Sequence, residues 1–494
     1  MGDDNLSAKL LHSREREEQG ENNEEINLRE KLADENKKLW VVAAPSIFTR
    51  FSTFGVSVIS QAFIGHIGPT ELAAYALVGT VVLRLANGLL LGMASALETL
   101  CGQSFGAKQY YMLGVYLQRS WIILFITTLV ILPLFIFSTP LLILLGQDEE
   151  VAKMAGVISK WFIPFVFSYM WSFSLQMYLQ AQSKNQIISY LAFLTLVIHV
   201  SLSWLLTVKL GLGLAGVMSS MIVAMWIPVL GQLGFVFFGG CPQTWTGFSS
   251  SAFKDLGSMM KISLSSGVML CLEFWYNTIL VLLTGHMRNA EVALDALSIC
   301  LNINGWEMMI SFGFMAAAGV RVANELGAGN AKRAKFAIVN VVLQSLIIGT
   351  VLFVLFLLFR GRVAYIFTDS LKVVKAVADL SPLLAFSILL NSVQPVLSGV
   401  AIGSGWQGIV AYVNITCYYI IGIPVGIVLG YALDLHVKGI WIGMLLGTAI
   451  QTLVLVCITI KTDWTKQVAV ARERVSKWRM PRTNGSENDR QQLA

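Results

Sequence analysis

Glu273 is the residue a bilayer would least tolerate without a reason. It lies within the apolar run Leu270-Cys271-Leu272-Glu273-Phe274-Trp275-Tyr276-Asn277. An ionisable side chain at mid-span costs roughly 2.5–3.5 kcal/mol on insertion scales and faces a bundle interior by default. Tyr276 and Asn277, three and four residues on, put two hydrogen-bonding groups on the same helical face. Desolvation favours the neutral form of a carboxyl, so such a group can take up and release protons. The plainer alternative is a structural glutamate held neutral by those neighbours. Glu307 follows Asn302 and Asn304 in the next apolar stretch and offers a second carboxyl to the same cavity. Arg50 and Arg84 are the buried charges expected in the first half. Either they line a cavity that favours anionic or electron-rich ligands, or they pair with backbone carbonyls.

The run Leu389-Leu390-Asn391-Ser392-Val393-Gln394-Pro395 combines two amides with a proline. Pro395 cannot donate to the carbonyl of residue 391, and its ring clashes there, so the helix should kink. Inside a membrane a broken turn is tolerated where it lines a cavity or is re-satisfied by neighbours. Trp171, Met177, Trp275 and Trp306 suit a wall for planar aromatic ligands, and equally suit ordinary bundle packing. No Walker loop, GxSxG, HExxH or dinucleotide fingerprint is present, so neither an enzyme nor direct ATP drive is expected.

The elements that must hold these residues are membrane spans. Hydrophobic residues make up 55% of the 494-residue chain and charged residues 13%, with a mean hydropathy of +0.68. A soluble domain carries about 25% charged residues. Twelve apolar stretches can be marked, near 39–64, 72–97, 117–139, 154–178, 186–208, 212–238, 257–284, 293–319, 336–359, 376–402, 407–431 and 438–460. The chain also repeats itself. Gly65-His66, Glu71 and Ala76-Leu77 recur as Gly285-His286, Glu291 and Ala296-Leu297, an offset of 220 at each position. Met93-Ala94 and the turn Gln103-Ser104-Phe105-Gly106-Ala107 recur near offset 222 as Met315-Ala316 and Glu325-Leu326-Gly327-Ala328. Asp148 and Lys153 find a looser echo in Asp369 and Lys375.

Six spans per copy make the repeat parallel, related by a pseudo-twofold along the membrane normal. The expected fold is therefore an all-α membrane protein of twelve transmembrane helices in two six-helix lobes. It divides into an acidic disordered tail (1–36), an N-lobe (37–238), a polar linker (239–256), a C-lobe (257–460) and a basic tail (461–494). The offset of 220 takes Glu273 to Thr53, so a coupling proton belongs to the second lobe.

Lys and Arg gather in loops on the side of the termini, at Lys108, Lys184, Lys254, Arg321, Lys332, Arg333 and Lys335, which puts both termini in the cytoplasm. Arg360, Arg362, Lys372 and Lys375 dilute the contrast. The stretch Val468–Trp478 alternates basic and apolar residues, and either lies on an anionic leaflet or is a solvated stop-transfer tail. The N-terminus has no basic segment followed by an apolar one, so no cleavable signal is expected. Six scattered cysteines give no metal site and no disulfide framework, and the charges form no nucleic-acid face.

Several stretches resemble the multidrug and toxic compound extrusion family, in its plant DETOXIFICATION branch, over roughly residues 35 to 465. They are Pro45 in the first span; Glu98-Thr99-Leu100-Cys101-Gly102-Gln103-Ser104-Phe105-Gly106-Ala107; Leu179-Gln180-Ala181-Gln182-Ser183; Arg321 to Gly329; and Ser398 to Gln407. The resemblance implies a proton-coupled antiporter whose two lobes form a V. It would expel organic compounds, xenobiotics or flavonoid-like metabolites, from the cytoplasm to the vacuole or cell exterior. Glu273 resembles the family's proton-binding glutamate. Asn391 stands where a partner aspartate is common, which puts a two-carboxylate mechanism in doubt. The run Asn391 to Pro395 looks like the subgroup associated with flavonoid loading of vacuoles.

On this reading Glu273, Asn391 and Glu307 serve proton coupling. Tyr276, Asn277, Asn302, Asn304, Gln394, Arg50, Arg84 and Trp306 serve substrate binding. Expected partners are a small organic substrate, protons and the lipid bilayer, with no cofactor and a monomeric unit. The vacuolar membrane is the expected site, with the plasma membrane as alternative. The competing function is a channel-like anion conduit using Arg50 and Arg84 as selectivity charges. A lipid-linked flippase, the third possibility, finds no special support in the sequence.

Overall fold

A computed structural model describes residues 3–285, 290–360 and 362–477. The N-lobe is built from α1 (Asp3–Gly65), α2 (Pro69–Gly106), α3 (Tyr110–Ile136), α4 (Glu149–Ala181), α5 (Gln186–Lys209) and α6 (Gly213–Gly240). The C-lobe comprises α7 (Leu256–Gly285), α8 (Ala290–Gly327), α9 (Ala331–Leu358), α10 (Leu371–Ser404), α11 (Gln407–Ala432) and α12 (His436–Lys461). A further helix, α13 (Trp464–Lys477), follows. Ten of these helices are long and apolar enough to cross a membrane within the described residues, and α7 and α8 complete the twelve.

Each apolar stretch marked in the sequence coincides with one of the twelve, and 117–139, 212–238 and 336–359 run past the helix end by one to three residues. Much of their outer surface is large apolar side chains, such as Val130, Phe193, Ile347 and Leu453. Lipid, rather than protein, is the solvent that makes such surface stable.

The lobes meet through α2 on α7, α1 on α8, and α2 on α8. The first two pairs are equivalents of each other under the repeat, and the third straddles its axis. At the axis a Cβ on Gly106 would collide with the Asn324 carbonyl oxygen, and one on Gly327 would collide with that of Gln103. Gly106 and Gly327 are 221 residues apart, and so are Gln103 and Asn324, which makes the contact reciprocal. Only glycine lets the backbones approach this closely. These contacts seal the lobes at the end that carries both termini, whereas residues 69–78 of α2 pack on α1 and α4 of their own lobe.

Proline shapes the helices as the sequence suggests. The tenth span is two helices, Leu371–Asn391 and Gln394–Ser404, with Pro395 in the first turn of the second. Ser345 of α9 donates to the Ser392 carbonyl at 2.5 Å, compensating the broken turn. In α1, Pro45 leaves the Val41 carbonyl without its helical donor, and Asn185 of α5 reaches that oxygen at 3.4 Å.

Three expectations are corrected. The tail expected up to residue 36 ends earlier, since Glu35 and Asn36 are bound into the bundle on α1. Glu35 is 6% exposed and takes a bidentate ion pair from Arg321 of α8, with both contacts at 2.8 Å. Asn36 accepts from Asn340 and Gln344 of α9 at 2.8 and 2.6 Å. The basic tail neither lies on a leaflet nor stands solvated between Trp464 and Lys477. Trp464, Val468, Ala471 and Val475 form a helical stripe buried on the bundle, which removes the apolar face that lipid would need. Arg84 is exposed rather than buried, for its position on α2 faces the seam with α7.

Candidate functional site

Glu273 lies on α7 and is 9% exposed. Its Oε1 accepts from Gln394 Nε2 at 2.6 Å and from Ser398 Oγ at 2.8 Å. Gln394 also donates to Ser398 at 3.2 Å. Both partners sit on the second half of α10, one turn apart, immediately after the break. The single carboxyl therefore ties α7 to the separate half of a broken helix. Asn414 of α11 borders it and is itself fixed by donating to the Met269 carbonyl and accepting from Gln451.

On the other side of the break, Asn391 donates to Asn304 Oδ1 of α8 at 3.0 Å. These two residues, with Tyr276, Asn277, Trp441 and Thr448, line a cavity of about 30 Å³ in the C-lobe. Tyr276 forms its floor: its hydroxyl donates to the Met444 carbonyl at 2.7 Å and its ring stacks on Tyr418 with centroids 4.1 Å apart. Glu307 stands beside Asn391, with Oε1 accepting from Ser311 at 2.7 Å and a buried Oε2 that has no partner. A free buried carboxylate oxygen of this kind is costly unless protonated or solvated.

The structure thus brings Glu273 and Gln394 into direct contact, and gathers Tyr276, Asn277, Asn304, Asn391 and Glu307 around the same break. Four predicted residues lie elsewhere. Asn302 is exposed and bonds the Ser298 carbonyl of its own helix. Trp306 packs in the interlobe seam, stacked on Phe51 at 5.6 Å and edge-on to Phe54 at 4.7 Å. Arg84 donates to Thr278 across the seam at 3.3 Å. Arg50 lines a separate cavity inside the N-lobe.

Three participants escaped the sequence reading. Ser398 had a signal, since it stands four residues after Gln394 on a helix and so shares its face. Asn414 had none, being more than a hundred residues from Glu273. Glu98 stands in a stretch that carries the family resemblance, which gives it no role of its own, and α2 continues to Gly106 and leaves it inside the helix. It is 3% exposed, and its Oε1 has no hydrogen bond and faces Gly319 of α8.

The chain as a whole is similar to known proteins. The MatE family model matches residues 45–205 and 266–428, one segment in each lobe. Protein DETOXIFICATION 21 of Arabidopsis thaliana is 61% identical over 480 residues, covering 97% of both chains. Protein DETOXIFICATION 20 of the same plant is 59% identical over 476 residues, covering 96% of both. Among solved structures, the eukaryotic MATE transporter AtDTX14 superposes with a TM-score of 0.84 at 36% identity, covering 90% of this chain and 100% of that one. The Vibrio cholerae MATE transporter VcmN, solved as a point mutant, superposes with a TM-score of 0.78 at 16% identity over 88% of this chain and 99% of that one, a likeness of fold.

Proposed function

This chain belongs to the MatE family of membrane transporters, and from that premise we propose that it is a proton-coupled antiporter expelling organic compounds from the cytoplasm. The observation that carries the reading is the bond set at Glu273, where one buried carboxyl of α7 holds Gln394 and Ser398, both on the second half of the broken α10. Protonation converts that carboxyl from acceptor to partial donor, which weakens its hold on both residues and frees the second half of α10 to shift. Protonation from the acidic side favours the arrangement open to the cytoplasm. An organic solute enters the cleft between the lobes there, and proton loss to the cytoplasm resets the cycle. The ligand biases the two states only by its differential affinity for them.

Asn391, neutral and bonded to Asn304, carries no second proton, so Glu273 does the coupling with Glu307 as the other carboxyl nearby. The substrates are xenobiotics or flavonoid-like metabolites, delivered to the vacuole or the exterior, and both termini face the cytoplasm. The anion-conduit alternative loses support because Arg50 and Arg84 do not converge: one lines the N-lobe cavity and the other bridges the seam.

The test is uptake into proteoliposomes under an imposed pH gradient, wild type against Glu273→Gln, with flavonoids, organic cations and chloride offered in turn. Gradient-driven uptake of an organic solute that the substitution abolishes supports the antiporter. Uptake unchanged by Glu273→Gln would sink it. Chloride currents that ignore the gradient and vanish on Arg84→Ala would favour the conduit.

A further inference from the structure

The N-lobe contains a second polar cavity that the transport scheme does not use. It measures about 40 Å³ and is lined by Arg50, Thr53, Tyr169, Gln176 and Gln232, among others. Most of its hydroxyls are spent locally: Thr49 donates to the Pro45 carbonyl, Thr53 to that of Thr49 and Ser168 to that of Phe165. Three atoms are not. Gln232 is fully buried, yet both its Nε2 and its Oε1 lack partners, and the buried Ser52 Oγ lacks one too. The Arg50 guanidinium makes no hydrogen bond or ion pair among the described residues. Glu98 and Tyr169 feel its charge, but Glu98 turns its carboxyl toward Gly319 of α8 and stays outside ion-pair distance.

An unpaired guanidinium in an apolar lobe is the most costly of these groups, because Glu98, beyond ion-pair distance, offsets only part of its desolvation. Unpaired donors beside it, an amide N–H and a hydroxyl, are what an anion requires. We propose that this cavity binds one small monovalent anion of halide size, held by Arg50 and by hydrogen bonds from Gln232 and Ser52. Its volume suits one such ion or a few water molecules. Water would satisfy the hydrogen bonds but leave the charge unbalanced. The site stands apart from the coupling carboxyl, so its test does not depend on transport.

The experiment follows thermal unfolding of the full chain in nanodiscs by tryptophan fluorescence, in sodium chloride against sodium gluconate at matched ionic strength. A ligand of the folded state raises the melting temperature, and here a saturable rise of about 2 °C in chloride is expected. Arg50→Gln should erase the difference between the two salts, and Arg84→Gln should keep it. If Arg50→Gln fails to fold, Thr53→Glu serves instead: its carboxylate, one turn along the same face, neutralises Arg50 and should equally abolish the chloride effect. Identical melting of the wild type in both salts would mean that the cavity holds only water, and would overturn the proposal. So would a chloride effect that survives both N-lobe substitutions.

Discussion

The two lobes are copies of one scaffold with opposite chemistry at their centres. Where the C-lobe has Glu273 on its first helix, the N-lobe has Thr53 at the equivalent position, 220 residues earlier. Glu273 is held by an amide and a hydroxyl from a broken helix, and nearby amides line a small cavity. Thr53 merely bonds its own helix, and the charged residue of its cavity is the cation Arg50. The seam between the lobes shows the reverse pattern: Gly106 on Asn324 and Gly327 on Gln103 are the same contact made twice. Duplication has preserved the surfaces that must fit each other and freed the interiors to diverge. On the proposed mechanism, symmetry serves the surface along which the lobes meet, and asymmetry serves the telling of a proton from a substrate.

That comparison can be broken in order of severity. Glu273→Gln should reduce gradient-driven uptake to the level of empty liposomes, whereas Thr53→Val should leave most of it, because the proposed proton site lies in the C-lobe alone. Equal losses would erase the distinction. Next, Arg321→Ala removes one partner of a buried bidentate pair and should cost about 3–5 kcal/mol, read as a lowered unfolding transition. Arg321→Lys, which keeps the charge and loses the fork, should fall between.

Smaller effects test the seam. Gly106→Ala and Gly327→Ala should each cost about 1–3 kcal/mol through overpacking against a backbone carbonyl. In spin-label distance measurements both should also increase the separation of the lobes at the end carrying the termini. Markedly unequal responses would argue against the reciprocal contact. The smallest expected effect is at Arg474 of α13, which donates to Gln103 of the N-lobe at 2.9 Å and to the Ser404 carbonyl of the C-lobe at 3.4 Å. Arg474→Ala should lower stability by about 1–2 kcal/mol and shift the same distances in the same direction.

How much of this was legible beforehand follows the range of the interactions. Apolar spans are written in local composition, and the repeat in a fixed offset, so the twelve helices could be placed from the chain alone. Pro395 announced the break in α10, because its steric conflict is with a residue four positions away. Ser398 was readable by the same helical spacing and was passed over. Glu35 with Arg321 was not readable, since 286 residues separate them and each looks like an ordinary charge flanking a span. The docking of α13 was hidden for a similar reason: an amphipathic basic helix has the same pattern whether its apolar stripe meets lipid or protein. Arg84 misled because a charge inside an apolar stretch looks buried until the neighbouring lobe shows which side of the helix is open.

The pairing of Glu35 with Arg321 also has a consequence for biosynthesis. A ribosome adding about 5–20 residues per second completes Arg321 roughly 15–60 s after Glu35, given the 286 residues between them. Once the first helix has been completed and inserted, Glu35 must wait for Arg321, and Asn36 for Asn340 and Gln344, none of which has yet been made. The N-lobe must therefore hold itself together without its own leading segment, and the clasp can close only after the eighth helix has been threaded. A nascent chain halted before residue 321 would present that acidic stretch free, so the state of this one contact marks when the second lobe has joined the first.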